Sequence, residues 1–289
     1  MGKLFVIGDL HFSLGVDKPM DIFGKAWENH TERLCENWRR TVGDEDYVVV
    51  NGDISWGLDL KEAAPDLILL DSLPGTKIIM KGNHELWWTT MAKLKGVFKD
   101  CGIKTILPLY NNAYFWTEKK IMLCGTRGWL LPGDEAFEEP DAKVLRRETL
   151  RLGMSLSHGK NLAARYFDYK EGIKPNPGFD PNEIIEPDFI PDGTKGIDRR
   201  YETVAFLHYP PFVFTKREKS EITDIIEQNN IERCYFGHVH GVKPKESDTS
   251  ERQPIYRQNG VRYYLTAADY LGMEPVEITG PDLRCDHES

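Results

Sequence analysis

Short segments that combine histidine, aspartate, asparagine and glycine recur along the chain. They are, in chain order, Gly8-Asp9-Leu10-His11, Gly52-Asp53, Gly82-Asn83-His84-Glu85, His208-Tyr209-Pro210 and Gly237-His238-Val239-His240. Each follows a short apolar or β-branched run, where a strand is predicted to end and a loop to begin. Carboxylate oxygen, amide oxygen and imidazole nitrogen are ligands of divalent metal ions. The segments therefore predict a metal site.

The spacing within two of these segments favours shared ligation. Asp9 and His11 are two residues apart, as are His238 and His240. Along an extended segment such side chains point to the same side. The glycines that precede these polar residues are expected where a strand must bend and bring backbone close to a ligand.

The elements that must position these residues alternate between strand and helix over the first hundred residues. Strands are predicted at 3–8, 46–51 and 77–80, and helices at 26–40, 59–72 and 87–99. This alternation is typical of βαβ units and predicts a parallel core sheet. Open α/β sheets bind ligands at the carboxyl ends of their strands, which is where the polar segments fall.

The pattern changes after about residue 103. Strands are predicted at 103–109, 113–117 and 120–125, the last two as a hairpin, followed by a helix at 141–169 and a proline-rich loop at 174–194. Further strands are predicted at 203–208, 232–236, 262–267 and 275–278, with a helix at 217–229. Since no clean linker is present, we expect one domain over residues 1–289, with an insertion or cap at roughly 130–200.

Composition limits the classes of partner. The 289 residues carry a formal net charge of −9, which disfavours a long nucleic-acid footprint because that requires clustered Lys and Arg. No apolar run approaches the roughly 18 residues of a membrane span, and the N-terminal apolar run is too short for a signal peptide. The five cysteines are widely spaced, odd in number and form no CxxC, which favours free thiols and a cytoplasmic location.

The order Asp-x-His, Gly-Asp, Gly-Asn-His-Glu, His and Gly-His-x-His resembles the signature of the calcineurin-like metallophosphoesterases. The five blocks occur in this order between Asp9 and His240, so the resemblance spans most of the chain. It implies an α/β fold, a four-layer αββα sandwich, here with an inserted helical and loop segment.

The resemblance also implies seven metal ligands, namely Asp9, His11, Asp53, Asn83, His208, His238 and His240. Asp9, His11 and His240 would hold one divalent ion, and Asp53 would bridge the two ions. The second ion would be held by Asn83, His208 and His238. Two ions about 3.5–4 Å apart clamp a phosphate and lower the pKa of a bridging water, so that the hydroxide can attack phosphorus. Mn²⁺ is the expected metal, with Fe, Zn²⁺ and Mg²⁺ as alternatives.

His84 adjoins a predicted ligand and is not itself expected to bind metal. By resemblance it is the catalytic group that protonates the leaving alkoxide or steadies the developing charge, since the pKa of histidine lies near operating pH. The alternative is a structural histidine that supports the ligands.

Departures from family patterns narrow the branch. Protein Ser/Thr phosphatases of this fold have Gly-Asp-x-x-Asp-Arg-Gly at the second block, whereas Trp56 and Gly57 replace that Asp and Arg here. Purple acid phosphatases place a metal-binding Tyr where Trp56 stands. Neither branch is therefore expected. Arg127 is the candidate for the phosphate-binding cation, and a surface arginine in a turn is the alternative.

The predicted function is hydrolysis of phosphodiesters or small phosphomonoesters, with a nucleotide among the candidate substrates. A nuclease acting on short nucleic acid and a non-catalytic scaffold of the same fold are the alternatives. Aromatic residues near the motifs either stack on a nucleobase or belong to the core. These are Trp56, Trp87, Trp88, Trp129 and Tyr209. The sequence predicts no oligomeric state.

Overall fold

The computed structural model describes residues 2–170, 184–185, 200–243 and 253–279. The chain divides into two compact units. The first comprises Met1–Pro108, Gly237–Gln253 and Leu265–Ser289, and the second comprises Leu109–Phe236 and Pro254–Tyr264. The prediction of one domain with an insertion stays a prediction.

Each unit is built on one sheet, and the helices follow the strands in sequence. The strands of the described residues are β1 (Leu4–Ile7), β2 (Tyr47–Val50), β3 (Thr76–Ile79), β4 (Ile106–Pro108), β5 (Ala113–Trp116), β6 (Ile121–Thr126), β7 (Ile184–Ile185), β8 (Glu202–Leu207), β9 (Arg233–Phe236), β10 (Tyr256–Gln258), β11 (Val261–Leu265) and β12 (Val276–Glu277). The α-helices are α1 (His30–Thr41), α2 (Leu60–Ser72), α3 (Met91–Asp100), α4 (Glu139–Lys170) and α5 (Glu221–Gln228).

The sheet of the first unit has the strand order β12-β1-β2-β3-β4. β1 to β4 are parallel, and β12 pairs antiparallel with β1 at the edge. All four residues of β1 are buried, as expected of a parallel strand that is covered on both faces. Parallel strands end at one edge of the sheet, so the polar segments after β1, β2 and β3 meet there.

The sheet of the second unit has the order β10-β11-β9-β8-β6-β5-β7. β6, β8 and β9 are parallel, and β5 pairs antiparallel with β6, which confirms the predicted hairpin. The long helix α4 packs on this sheet, where Ser155 accepts at its carbonyl from the Cys124 thiol, whose Sγ lies 3.7 Å away. β6 and β8 end together at Thr126 and Leu207.

The prediction of an α/β fold is confirmed, since the structure holds two parallel-rich sheets and helices. Three helix starts were predicted too early. The helix predicted at 217–229 begins only at Glu221, because the Ser220 hydroxyl caps it by accepting from the N–H groups of Ile222 and Thr223. Residues 25–27 form a 3-10 turn before α1, and α3 begins only at Met91, because the Thr90 hydroxyl caps it by accepting from the Lys93 N–H. The predicted loop at 174–194 lies outside the described residues, apart from β7, which pairs with β5. Among the described residues, no helix is both long enough and apolar enough to cross a membrane.

Candidate metal centre

Four of the predicted ligands have a left-handed backbone. The φ angles are 58° at Asp9, 48° at His11, 51° at Asp53 and 68° at His238. This region costs a non-glycine residue about 1–3 kcal/mol, and such residues cluster at functional sites. The expectation of extended segments at Asp9–His11 and His238–His240 was therefore wrong. The side chains converge because the chain turns sharply at each of these residues.

Backbone hydrogen bonds between loops hold these turns in place. The Asp9 N–H donates to the Gly52 carbonyl and the His11 N–H donates to the Asp53 carbonyl, both at 2.9 Å. The His11 carbonyl in turn lies 3.1 Å from Nε2 of the buried His30, a residue to which the sequence assigned no role. The first two loops are thereby tied together, which fixes the directions of their side chains.

The carboxylate of Asp9 is fully buried and is bound from the backbone of the fifth segment. The His238 N–H lies 3.0 Å from each of its two oxygens. A Cβ added at Gly237 would overlap the Asp9 carboxylate. Glycine is therefore required at 237 so that the backbone can approach the carboxylate this closely.

Asp9, His11 and His240 form one cluster of metal-binding type. Their ligand atoms all lie within 4.8 Å of one another. The two Nε2 atoms are 3.4 Å apart, and His240 Nε2 is 3.6 Å from Asp9 Oδ1. One carboxylate oxygen and two imidazole nitrogens converging in this way fit a divalent ion.

Asp269 orients His240 and was missed at the sequence level. Its Oδ1 lies 3.0 Å from His240 Nδ1, and its Oδ2 accepts from the Gly241 N–H at 2.8 Å. Burial lowers the pKa of His240, but the hydrogen bond to Asp269 and nearby carboxylates outweigh it, so the pKa is raised. With the Nδ1 proton directed at Asp269, Nε2 is left to face Asp9. A carboxylate behind a ligand histidine is the usual supporting arrangement at metal sites.

The carboxylate of Asp53 lies close to predicted ligands of both metal ions. Its Oδ2 is 3.9 Å from His11 Nε2, and its carboxylate also lies within 4.8 Å of the ring nitrogen of His238. The other oxygen, Oδ1, accepts from the His84 N–H at 2.9 Å. The position of this buried carboxylate fits a bridging role.

Glu85 fixes the second and third segments relative to each other. Its buried carboxylate accepts from the N–H groups of Asp53 at 2.9 Å, Ile54 at 2.6 Å and Gly82 at 2.5 Å. Three backbone donors on one carboxylate hold both loops rigidly. Glu85 was part of the recognised motif, but its role could not be deduced from the sequence.

The side chain of His84 is 36% exposed, about as much as that of the predicted ligand His240, at 35%. Its Nε2 lies 3.8 Å from Asp53 Oδ2. Its ring packs against Trp56 with the centroids 4.1 Å apart. Trp56, which stands where protein phosphatases have aspartate, also stacks on His11 at 4.9 Å. An aromatic ring, rather than a carboxylate, therefore supports His84 from this side.

Three predicted site residues remain, Asn83, His208 and Arg127. Asn83 is half-buried and lies between Gly82 and His84. His208 is fully buried and directly follows β8 in the second unit. Its N–H donates to the carbonyl of Arg127, which follows β6. The side chain of Arg127 is 10% exposed, so the alternative of a surface arginine in a turn does not hold.

The aromatic residues considered as a stacking platform are largely engaged within the protein. Trp87, Trp88 and Tyr209 are buried. Lys18 lies 4.6 Å from the ring of Trp56, which already packs on two histidines. The Arg127 guanidinium lies 4.2 Å from the ring of Trp129. These contacts favour the core interpretation over base stacking.

Comparison with known proteins identifies the family. The model of the calcineurin-like phosphoesterases matches residues 2–242. The chain therefore belongs to the calcineurin-like phosphoesterase family, whose members are hydrolases of phosphoric esters. The resemblance inferred from the five segments is confirmed.

Solved structures share the fold at low sequence identity. Phosphopantetheinyl hydrolase from Mycobacterium tuberculosis has 15% identity and a TM-score of 0.50, with 97% of each chain covered. A protein of unknown function from Aquifex aeolicus has 14% identity and a TM-score of 0.45, with 96% of each chain covered. A protein from Thermus thermophilus has 10% identity and a TM-score of 0.47, covering 96% of this chain and 99% of that one. A search of curated proteins found no match.

Proposed function

We propose that this protein is a dinuclear-metal phosphohydrolase that cleaves small phosphate monoesters or diesters. The observation that carries the proposal is the convergence of Asp9, His11 and His240, with Asp53 placed between this cluster and His238. Family membership supports the reaction class, because the family consists of phosphoesterases.

The proposed ligands of each ion follow the family pattern. Asp9, His11 and His240 would hold one ion, and Asp53 would contribute one oxygen to each. Asn83, His208 and His238 would complete the second site, as the family pattern implies. Bound divalent ions would polarise the phosphate oxygens and supply a hydroxide near neutral pH.

The protein's own residues hold the metal ligands in position and supply a proton to the leaving oxygen. The left-handed turns and the Glu85 bonds hold the ligands before substrate arrives, so little reorganisation is needed during reaction. His84 is exposed enough to reach a bound ester, and its Nε2 would protonate the leaving oxygen. The ring of Trp56 would stabilise the protonated imidazole by a cation–π contact.

We further propose Mn²⁺ as the metal and a cytoplasmic location. Availability and geometry set metal occupancy more than ligand type does, and the mixed oxygen and nitrogen set suits Mn²⁺. The cysteines of the described residues, Cys35, Cys101, Cys124 and Cys234, are free thiols, which fits a reducing compartment.

The test is hydrolysis of p-nitrophenyl phosphate and bis-p-nitrophenyl phosphate by the purified full chain. We expect turnover with Mn²⁺ and none after treatment with chelator, with recovery on adding Mn²⁺ back. The ratio of the two rates assigns monoester or diester preference.

The matched variant is Asp53→Asn, which keeps the size of the side chain and removes the bridging charge. We expect it to reduce metal-dependent turnover of either ester by about 100-fold or more. Absence of metal-dependent activity on both esters in the unmodified chain would contradict the proposal.

A further inference from the structure

A buried ion cluster in the second unit carries more positive than negative charge. Glu148, on α4, is 1% exposed, and its Oε1 accepts from Arg127 Nη2 at 3.1 Å and from Arg151 Nη1 at 2.7 Å. Arg147 Nε lies 3.8 Å from the same oxygen. Three guanidinium charges therefore share one carboxylate, which leaves two positive charges without a counterpart in the cluster.

The single negative charge of the Glu148 carboxylate cannot balance all three guanidinium charges. Its second oxygen, Oε2, accepts from the Thr126 hydroxyl at 2.9 Å. Both oxygens of Glu148 are thus engaged, and any further negative charge must come from outside the cluster.

Arg127 is the most deeply placed of the three cations. Its side chain is 10% exposed, its guanidinium lies over Trp129, and its Nε is buried without a hydrogen-bond partner among the described residues. Burial lowers the pKa of Arg127 more than the neighbouring Glu148 raises it, and Arg147 and Arg151 lower it further. A buried charge of this kind costs free energy unless an anion is present.

Arg151 and Arg147 provide access from solvent. Their side chains are 22% and 54% exposed. Arg151 lies over the ring of Tyr110 at 4.8 Å, which restricts the plane of its guanidinium. A guanidinium has five N–H donors, and the bond to Glu148 uses one of those of Arg151. An anion that binds to the exposed side of Arg151 would find N–H donors held in a fixed orientation.

The backbone of Arg127 adjoins that of a predicted metal ligand of the same unit. The carbonyl of Arg127 accepts from the N–H groups of His208 at 3.0 Å and Tyr209 at 2.8 Å. The backbone that positions His208 is therefore the backbone that carries Arg127.

We propose that Arg127, Arg147 and Arg151 form an anion subsite that binds a second phosphate group of the substrate, separate from the ester that is cleaved. Guanidinium groups match phosphate geometry and make bidentate bonds to it. The assignment to substrate rests on the proposed function, because it depends on His208 belonging to the metal site. It narrows the substrate class to molecules with two phosphate groups.

Binding is tested first, independently of catalysis. Inorganic pyrophosphate is titrated calorimetrically into the chelator-treated full chain and into Arg151→Gln, Arg147→Gln and Arg146→Gln variants. Arg146 is an exposed arginine of the same helix that lies outside the ion pairs around Glu148, so its variant makes the same change of charge. Thermal unfolding of each variant shows that it folds.

We expect Arg151→Gln to weaken pyrophosphate binding at least tenfold and Arg147→Gln to weaken it less. Arg146→Gln should change it less than twofold. If the unmodified chain does not bind pyrophosphate, or if Arg146→Gln and Arg151→Gln weaken binding equally, the subsite is overturned. This outcome is distinguishable from failure of the proposed function, since no hydrolysis is measured.

The second arm separates substrate from a free anion. Adenosine 3′,5′-bisphosphate and adenosine 5′-monophosphate are compared as inhibitors of p-nitrophenyl ester hydrolysis by the Mn²⁺-loaded enzyme. Arg151→Gln should raise the inhibition constant of the bisphosphate at least tenfold and that of the monophosphate less than threefold. If pyrophosphate binding is lost but both inhibition constants are unchanged, the assignment to substrate is overturned.

Discussion

Two regions of the molecule hold their polar groups by different means. The first region comprises the ligand turns after β1, β2, β3 and β9, and the second region comprises the residues around Glu148 and Arg127, which follows β6. In the first region the backbone turns into the left-handed region at Asp9, Asp53 and His238. Loop N–H groups donate hydrogen bonds to the carboxylates of Asp9 and Asp53. After β6, Arg127 is instead held by a side-chain ion cluster that reaches over to α4. The first arrangement leaves little freedom in ligand position, whereas the second can exchange partners when an anion binds. We infer that the former suits metal coordination and the latter suits substrate recognition.

The largest effect is expected at Gly237, where the backbone contacts the carboxylate of Asp9. In Gly237→Ala, the added Cβ would overlap the Asp9 carboxylate, so the ligand and the turn cannot both keep their positions. We expect metal affinity and turnover to fall by about 100-fold or more. Metal titration with activity measurement checks this.

Gly96→Ala is the matched control for this change. Gly96 lies in α3, and a Cβ there meets no atom within 4 Å. Metal binding should be unaffected, and stability should rise by about 0.5–1 kcal/mol because alanine favours the helix. If Gly237→Ala behaved like Gly96→Ala, the backbone would not be what fixes the ligands.

His84→Ala tests whether this half-buried histidine, which is not a predicted ligand, is catalytic. We expect turnover to fall at least tenfold with metal content intact, since His84 is not a predicted ligand. Metal analysis and steady-state kinetics on the same preparation separate the two effects. His158→Ala, on α4, serves as the control, and equal turnover in both variants would remove the assignment of His84.

Asp269→Ala tests the orientation of His240. Without the carboxylate 3.0 Å from Nδ1, the ring can rotate and its tautomer is no longer fixed. Metal affinity should fall about 10- to 100-fold, as is usual for such supporting residues. Asp269→Asn keeps an acceptor and should recover most of the affinity, whereas equal losses in both variants would contradict positioning through this hydrogen bond.

The sequence predicted the first region better than the second. The ligand segments and the succession of strands along the chain could be predicted because each motif follows a short apolar or β-branched run. Asp269 could not be predicted, since it lies 29 positions from His240 and no motif marks it. The left-handed turns at Asp9 and His11 were missed because propensity favours extended backbone for such residues. Arg127 was a candidate from the sequence, but its partners around Glu148 were missed, because Arg147 and Arg151 look like the solvated face of α4 until the helix is packed on β6.

The smallest effect on metal binding is expected for a buried charge at the amino end of the first sheet. The ammonium of Lys77, on β3, donates to the carbonyls of Asp71, Leu73 and Gly75 at 3.1, 2.6 and 2.9 Å. Burial lowers the pKa of Lys77 to about 8 from its ordinary 10.5. The unfolded chain therefore binds more protons than the folded chain between these two values, and the stability contribution of Lys77 rises with pH across that window.

Denaturant unfolding of the wild type and Lys77→Met between pH 7 and 10.5 measures this. The stability of the wild type relative to the variant should be constant below about pH 8 and then rise by roughly 3 kcal/mol. A difference that is flat or falls with pH would show that the three carbonyls keep the ordinary pKa. Metal binding by Lys77→Met should be unchanged, which separates this end of the sheet from the ligand edge.

The central claim is that the first region, together with His208, binds two metal ions bridged by Asp53. The most direct test is metal stoichiometry, measured by mass spectrometry on the full chain after Mn²⁺ loading and desalting, for the wild type and Asp53→Asn. We predict two equivalents per chain in the wild type and at most one in the variant, with hydrolysis lost in parallel. Hydrolysis by a wild-type chain that holds no stoichiometric metal would contradict the claim.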